Sequence, residues 1–262
     1  MLPETIRSAS HPLMKRVRAA AAGRGEGEML LEGDRLVDEA RRAGLELEVV
    51  LVEEERVERL AELERAGIAV RAVKSSVIAG VSALTSAPGC VALAAEPRGR
   101  TLADLASDEG ALLVVAAGIQ DPGNLGALAR TAEAAGAAAL LVTAGGCRPW
   151  NPKVLRGSMG SVLRLPVIEG EPRAFVSELA ARNFRQVCAR TRGGRTYDDF
   201  DWSGRVALWL PAETGELPAE VARQPERFEG VSIPMSAAVE SLNVTAAAAV
   251  LLFAARRVGG AA

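Results

Sequence analysis

The strongest constraint on the fold is an uninterrupted apolar run, Ala111–Ala117, with a glycine-containing turn and a helix signal directly behind it. A run without alternation between apolar and polar residues is typical of a parallel strand covered on both faces. Helix signals alternate with further strand candidates at 139–142, 163–168, 186–189 and 206–210. This alternation predicts an α/β fold, a mainly parallel sheet with helices on both faces.

The first third of the chain carries a separate alternation of helix and strand signals. Segment 96–100 is polar and contains proline and glycine, as linkers do. We therefore expect a small α/β domain over 1–96 and a second domain over 101–262. The predicted elements of the first are a basic helix 12–22, strand 29–33, amphipathic helix 34–43, strand 45–52, charged helix 53–66, strand 68–73 and strand 90–94.

Charge is distributed unevenly along a chain whose formal net charge is −2. Residues 1–25 carry five basic side chains against one acidic side chain, and 181–195 carry five arginines and no acid. Either patch alone also fits an ordinary solvated surface. Both together, on a net-acidic chain, favour a polyanionic partner that is held through its phosphates.

Cysteine and histidine usage argues against a metal centre. Cys90, Cys147 and Cys188 are widely spaced, and His11 is the one histidine, so ligands at metal-binding spacing are missing. We expect buried, reduced thiols and no metal. The N-terminus shows no apolar signal segment, and the longest apolar run, Thr245–Ala255, is too short to cross a bilayer. The expected location is the cytoplasm, away from membranes.

A turn behind the first apolar run is the first candidate for chemistry. Segment Gln120–Arg130 places a turn and a helix start at the carboxyl edge of the predicted sheet, where α/β proteins bind ligands. It contains neither a dinucleotide fingerprint nor a phosphate loop. Asn124 also suits a plain helix N-cap. Arg130 has small helical neighbours, so its side chain has room to reach a site, although a solvated arginine fits too.

Three more segments are placed where strands end. Leu208–Glu216 contains Glu213, which either binds a ligand or caps a helix. Asn151–Ser161 supplies two cations and a turn rich in glycine and serine, expected near the same edge. The closing segment, Ile233–Thr245, places Ser241 and Asn243 where a helix should begin, exposing backbone groups that a small ligand can bind.

Together these segments resemble the three motifs of the SpoU (TrmH-type) RNA ribose methyltransferases of the SPOUT superfamily. The carriers are Asn124 with Arg130, the Glu213 loop, and Ile233–Met235 with Ser241–Val244. Residues 8–15 and 31–37 are similar to that family's small N-terminal substrate-binding module, which resembles ribosomal RNA-binding proteins. The resemblance covers nearly the whole chain.

The resemblance implies a C-terminal trefoil knot, S-adenosyl-L-methionine as cofactor, a homodimer, and methyl transfer to a ribose 2′-hydroxyl of RNA, with ribosomal RNA favoured over transfer RNA. The implied catalytic residues are Arg130, Asn124, Glu213, Ser241 and Asn243. The implied cofactor-binding residues are Leu210, Pro211, Ile233, Met235 and Leu242. RNA contacts are expected from His11, Lys15, Arg16, Arg18, Lys153 and Arg156. Arg130 is expected at the 2′-hydroxyl, either as the base or as an electrostatic orienter.

One position departs from the family pattern. Pro211 stands where the family usually has glycine, and proline has no backbone N–H to offer a cofactor, leaving only its carbonyl. Two alternatives therefore stay open. The first is an RNA-binding protein of the same fold with weak or lost methyl transfer. The second, which the missing dinucleotide fingerprint disfavours, is a nucleotide-cofactor enzyme with a doubly wound sheet.

Overall fold

A computed structural model describes residues 5–81, 89–97, 99–105, 110–212 and 217–258. Its helices and strands, in chain order, are α1 (Pro12–Ala21), β1 (Glu28–Glu32), α2 (Asp34–Arg42), β2 (Leu47–Glu53), α3 (Val57–Arg65), β3 (Val70–Val73), α4 (Ser75–Ala79), β4 (Cys90–Ala95), β5 (Leu112–Ala117), α5 (Pro122–Ala134), β6 (Ala139–Thr143), α6 (Pro152–Gly157), α7 (Ser161–Arg164), β7 (Val167–Gly170), α8 (Pro172–Ala181), β8 (Arg185–Arg190), β9 (Arg195–Thr196), β10 (Val206–Pro211), α9 (Ala219–Ala222), β11 (Glu229–Ser232) and α10 (Val244–Val258).

Contacts between residues divide the chain into two compact units. One contains the chain up to residue 98 together with Trp150–Leu163, and the other contains Gly99–Pro149 with Arg164 onward. The boundary between residues 98 and 99 lies inside the segment 96–100 that the sequence indicates as a linker. In the part of the chain that the structure describes, every helix is too short or too polar to span a membrane.

The first unit is built on a four-stranded sheet in the order β1-β4-β2-β3. The β1–β4 and β4–β2 pairs are antiparallel and the β2–β3 pair is parallel. Helix α1 buries Met14, Val17 and Ala20, spaced three residues apart on one face, against strand residues such as Leu30 and Leu51. The opposite face of α1 therefore keeps its basic side chains toward solvent.

The segment Trp150–Leu163 belongs by its contacts to this first unit, where α6 packs on β1. Asn151 caps α6 by accepting a hydrogen bond from the Lys153 N–H at 2.9 Å. The Arg156 guanidinium donates to the carboxylate of Glu32, whose side chain is buried. An unpaired charge in such a position is costly. The ion pair therefore ties this segment to β1.

The second unit holds a seven-stranded sheet in the order β7-β6-β5-β10-β8-β11-β9. Every strand pairing described in it is parallel, which confirms the predicted architecture. Trp209 lies fully buried in β10 and meets Phe228 edge-on, with ring centroids 5.4 Å apart. The helices α5 and α10 pack against each other.

The strand predicted at 163–168 is wrong in its first half. Helix α7 runs to Arg164, and the strand begins only at Val167. Pro166 explains the change, because proline disfavours helical backbone at the residue before it and so ends the helix. Its carbonyl then accepts a hydrogen bond from the Leu140 N–H at 2.9 Å, which leads into the sheet.

The three cysteines are free thiols, as expected. Cys90 and Cys188 are buried, and Cys147 is partly exposed. Burial raises the pKa of Cys90 to about 12 and that of Cys188 to about 11. Both thiols therefore stay protonated at neutral pH and act as small apolar core residues.

Candidate functional site

A cavity of ≈ 210 Å³ opens at the carboxyl ends of β10, β8 and β11, three adjacent strands of the parallel sheet. This edge is where ligands bind in open α/β sheets. The strand ends and the residues just after them form one wall: Ala189, Arg190, Thr191, Leu210, Pro211, Ala212, Val231 and Ile233.

The closing segment and α10 form the other wall of the same cavity. They contribute Met235, Ser241, Leu242, Asn243, Val244, Ala247 and Leu251. All five residues expected to bind the cofactor, Leu210, Pro211, Ile233, Met235 and Leu242, thus line one cavity. Their contacts with a cofactor stay a prediction. Three stretches of the chain, 189–191, 210–212 and 231–251, meet here, and α10 packs on β10.

Asn243 links two helices at this cavity. Its Oδ1 accepts a hydrogen bond from the Thr245 N–H at 2.9 Å and so caps α10. Its Nδ2 donates to Oδ1 of Asn124 at 3.1 Å. Asn243 therefore has the capping role expected of it, and it also joins the start of α10 to the start of α5.

The predicted capping role of Asn124 is wrong. Asp121 is the N-cap of α5, and its carboxylate accepts the Asn124 N–H at 2.8 Å. Pro122 occupies the first helical position, where its missing N–H costs nothing. Because Asp121 supplies the cap, the side chain of Asn124 is available to Asn243.

Arg130 lies elsewhere on α5. It is exposed, it is not among the residues that line the cavity, and no described residue forms an ion pair or hydrogen bond with its guanidinium. It lies six positions after Asn124 on the helix, a rise of about 9 Å. The structure thus brings Ser241, Asn243 and Asn124 together and leaves Arg130 apart. Glu213 lies outside the described residues.

Pro211 is the last residue of β10 and lies opposite Ala117 of β5. The pairing of β10 with β8 ends earlier, at Trp209. Proline is tolerated at such a strand end because the ladder beside it has already stopped. Its half-buried ring is part of the cavity wall.

The strand end at Ala189–Thr191 is a part of the cavity that sequence reasoning missed. The arginine-rich run 181–195 was considered only as a general phosphate-binding patch. The position of this segment could have indicated its role. The predicted strand 186–189 ends directly before Arg190, and the carboxyl ends of parallel strands share one edge of the sheet.

The residues expected to contact RNA in the first unit differ in how they are engaged. His11 caps α1, with Nδ1 accepting the Leu13 N–H at 3.2 Å. Lys15, Arg18 and Lys153 are exposed. Two further members of the set are held in ion pairs: Arg16 pairs with Glu28 and Glu48, and Arg156 pairs with Glu32.

Comparison with known proteins gives the family. Residues 111–253 match the model of the SpoU rRNA Methylase family, and residues 14–92 match that of the MRM3-like substrate binding domain. The chain is 30% identical, over 86% of both sequences, to the 23S rRNA (guanosine(2553)-2′-O)-methyltransferase RlmP of Bacillus subtilis.

Solved structures of rRNA methyltransferases are similar to this chain along most of its length. An AdoMet-bound rRNA methyltransferase from Sinorhizobium meliloti is 28% identical and superposes with a TM-score of 0.86 over 97% of both chains. The SpoU methyltransferase AviRb from Streptomyces viridochromogenes, in complex with the cofactor AdoMet, is 25% identical with a TM-score of 0.85, over 94% of this chain and 97% of that one. The chain belongs to the SpoU rRNA methylase family.

Proposed function

We propose that this protein transfers the methyl group of S-adenosyl-L-methionine to a ribose 2′-hydroxyl of ribosomal RNA in the cytoplasm. The observation that carries the proposal is the cavity at the sheet edge, in which the strand ends of β10 and β11 meet the closing segment. A relative that aligns with 86% of this chain and 86% of its own length is named a 23S rRNA 2′-O-methyltransferase. The domain over 1–96 binds the RNA, and the trefoil knot belongs to the same proposal.

The cavity fits the proposed cofactor. Its walls are mainly apolar, as an adenine ring requires, and small residues such as Ala189, Ala212 and Ala247 leave room for it. The backbone N–H and C=O groups just beyond the strand ends supply polar partners for the cofactor. These groups do not depend on residue 211, where proline has no N–H to donate. The cofactor supplies a methyl group that its sulfonium has already activated.

The protein's task is to align the 2′-oxygen with that methyl group and to assist loss of the hydroxyl proton. The hydrogen bond between Asn124 and Asn243 holds the two helix starts beside the cavity in a fixed relation. Ser241 presents its hydroxyl at the exposed rim. The Arg130 guanidinium orients the adjacent phosphate and stabilises the developing negative charge on the 2′-oxygen.

The direct test is transfer of a tritiated methyl group from the cofactor to an unmodified 23S rRNA transcript, with a transfer RNA transcript as comparison. We expect label on a ribose 2′-oxygen of the ribosomal transcript, and the phosphodiester bond on the 3′ side of that ribose should then resist alkaline hydrolysis. Cofactor binding is measured by calorimetry. RNA binding without cofactor binding or transfer would instead support the alternative of an RNA-binding protein that has lost its activity.

We also propose that the working unit is a homodimer that pairs through α5 and α10. Phe253, an aromatic residue on α10, is 44% exposed, and Arg130 on the neighbouring helix α5 does not line its own chain's cavity. A second copy covering these helices would bury Phe253 and allow Arg130 to serve the partner's cavity.

Phe253→Glu should shift the protein from dimer to monomer and lower methyl transfer, because it places a charge in an apolar contact. Sedimentation velocity at several protein concentrations measures the shift. Val57→Glu, at another large apolar residue, 49% exposed and in the first unit, is the matched control and should leave the dimer intact. A Phe253→Glu protein that sediments like the wild type would contradict this interface.

A further inference from the structure

The loop between β8 and β9, taken together with the strand residue on each side of it, carries three arginines, Arg190, Arg192 and Arg195, all of them exposed. The arginine-rich run 181–195 contains β8, so its arginines lie at both ends of that strand. At the amino end of β8, Arg185 is held by Glu229 through two hydrogen bonds of 2.9 Å. The loop lies at the opposite end, beside the cavity, and Arg190 is part of the cavity wall. The two ends of this run therefore have different roles.

Glycines hold the loop against the sheet. Gly193 and Gly194 have φ angles of +77° and +79°, a backbone conformation that favours glycine. A Cβ on Gly194 would lie 2.3 Å from the carbonyl oxygen of Gly230 in β11, so the two backbones are in direct contact. A Cβ on Gly230 would come within 3.1 Å of Cδ of Arg190. The stem of Arg190 therefore crosses β11 where the strand lacks a side chain.

The loop arginines are available to an anion. No carboxylate in the described part of the chain forms an ion pair with Arg190 or Arg192. Arg195 differs, because its positive charge helps to hold the pKa of Asp201 below its usual value, although hydrogen bonds from Ser203 are the larger cause. Arg190 and Arg192 thus form a cationic edge that no carboxylate of the described residues pairs with.

We propose that Arg190 and Arg192 bind the RNA backbone through phosphates next to the nucleotide that is methylated. The guanidinium fork matches phosphate oxygens in geometry and charge. Among the described residues of the cavity wall, Arg190 is the one charged side chain, and Arg192 is exposed and lies outside that wall. An anion that engages both must extend from the cavity over the loop, as a polynucleotide does. This inference rests on the proposed function.

Arg192→Glu tests the proposal with the full-length protein. Fluorescence anisotropy with a labelled single-stranded oligouridine should show affinity reduced by about tenfold. The slope of log affinity against log salt should fall by about 0.7 for the lost phosphate contact. With the 23S rRNA transcript, KM should rise more than kcat falls, and cofactor affinity should match the wild type. Arg173→Glu, at an exposed arginine on α8 outside the cavity wall, makes the same charge change and should alter none of these values.

Wild-type RNA affinity and salt slope in Arg192→Glu would overturn the proposal, as would a loss of cofactor affinity with RNA affinity unchanged. Circular dichroism confirms that both variants are folded. A failure of the proposed function gives a different result from a failure of the phosphate contact. Salt-dependent RNA binding that Arg192→Glu weakens, in a protein that transfers no methyl group, would retain the phosphate contact and reject the enzyme. Methyl transfer by the wild type, together with normal RNA binding by Arg192→Glu, would retain the enzyme and reject the phosphate contact.

Discussion

Arg130→Ala should lower methyl transfer by about 10²–10³-fold, the range found when one charge-stabilising donor is removed from an active site. The fold should be unaffected, because Arg130 is exposed on α5 and alanine is the best helix former. The free energy of unfolding should change by no more than about 0.5 kcal/mol. Single-turnover transfer of a tritiated methyl group measures the loss, and thermal unfolding checks the fold.

Two controls define the role of this arginine. Arg130→Lys keeps the charge but not the guanidinium fork, so it should recover only part of the rate. The second control mixes Arg130→Ala with Ala247→Trp, which fills the cavity. If Arg130 serves the partner's cavity, mixed dimers regain activity although each parent is inactive. Near-wild-type turnover by Arg130→Ala would reject the assignment altogether.

Asn243→Ala should reduce both stability and activity. The substitution removes the cap of α10 and the hydrogen bond to Asn124. Each is worth about 1 kcal/mol, and because Asn243 is exposed we expect a combined loss of about 1–2 kcal/mol in the free energy of unfolding. Methyl transfer should fall by about 10–100-fold, because small shifts of positioning groups are expensive in catalysis. Urea unfolding and single-turnover transfer measure the two effects.

Asn243→Ser separates these two effects. A serine hydroxyl still accepts the Thr245 N–H, and serine is as good an N-cap as asparagine, so stability should stay near the wild-type value. Its side chain is too short to reach Oδ1 of Asn124, so the link between α5 and α10 is lost and activity should fall as in Asn243→Ala. Wild-type activity in Asn243→Ser would show that this link is not needed for methyl transfer.

Much of the fold was predictable, because the strands are apolar runs with clear ends. The structure places β5, β6, β8 and β10 within one or two residues of the predicted strands. The error at 163–168 came from giving the apolar run more weight than the proline inside it. The predicted cap of α5 was also wrong, because Asp121 and Asn124 are both residue types that cap helices well. Only the backbone geometry decides which of the two caps the helix.

Partnerships between distant residues were not predictable. Arg16 and Arg156 look in the sequence like the other basic residues that were expected to contact RNA, yet each is engaged by glutamates that the sheet of the first unit brings close. Likewise, nothing local to residues 150–163 shows that they pack against β1, more than a hundred residues earlier in the chain.

The sequence alone determined the parallel α/β architecture, the linker, and the three motifs that indicate the family, because apolar periodicity and turn chemistry are local properties. Tertiary structure decided which of those residues share a cavity, which cations are already paired, and that Asn243 meets Asn124 rather than only capping its own helix. The physical reason is that charge compensation, burial and side-chain hydrogen bonds depend on distances in space, and folding sets these between residues far apart in the chain.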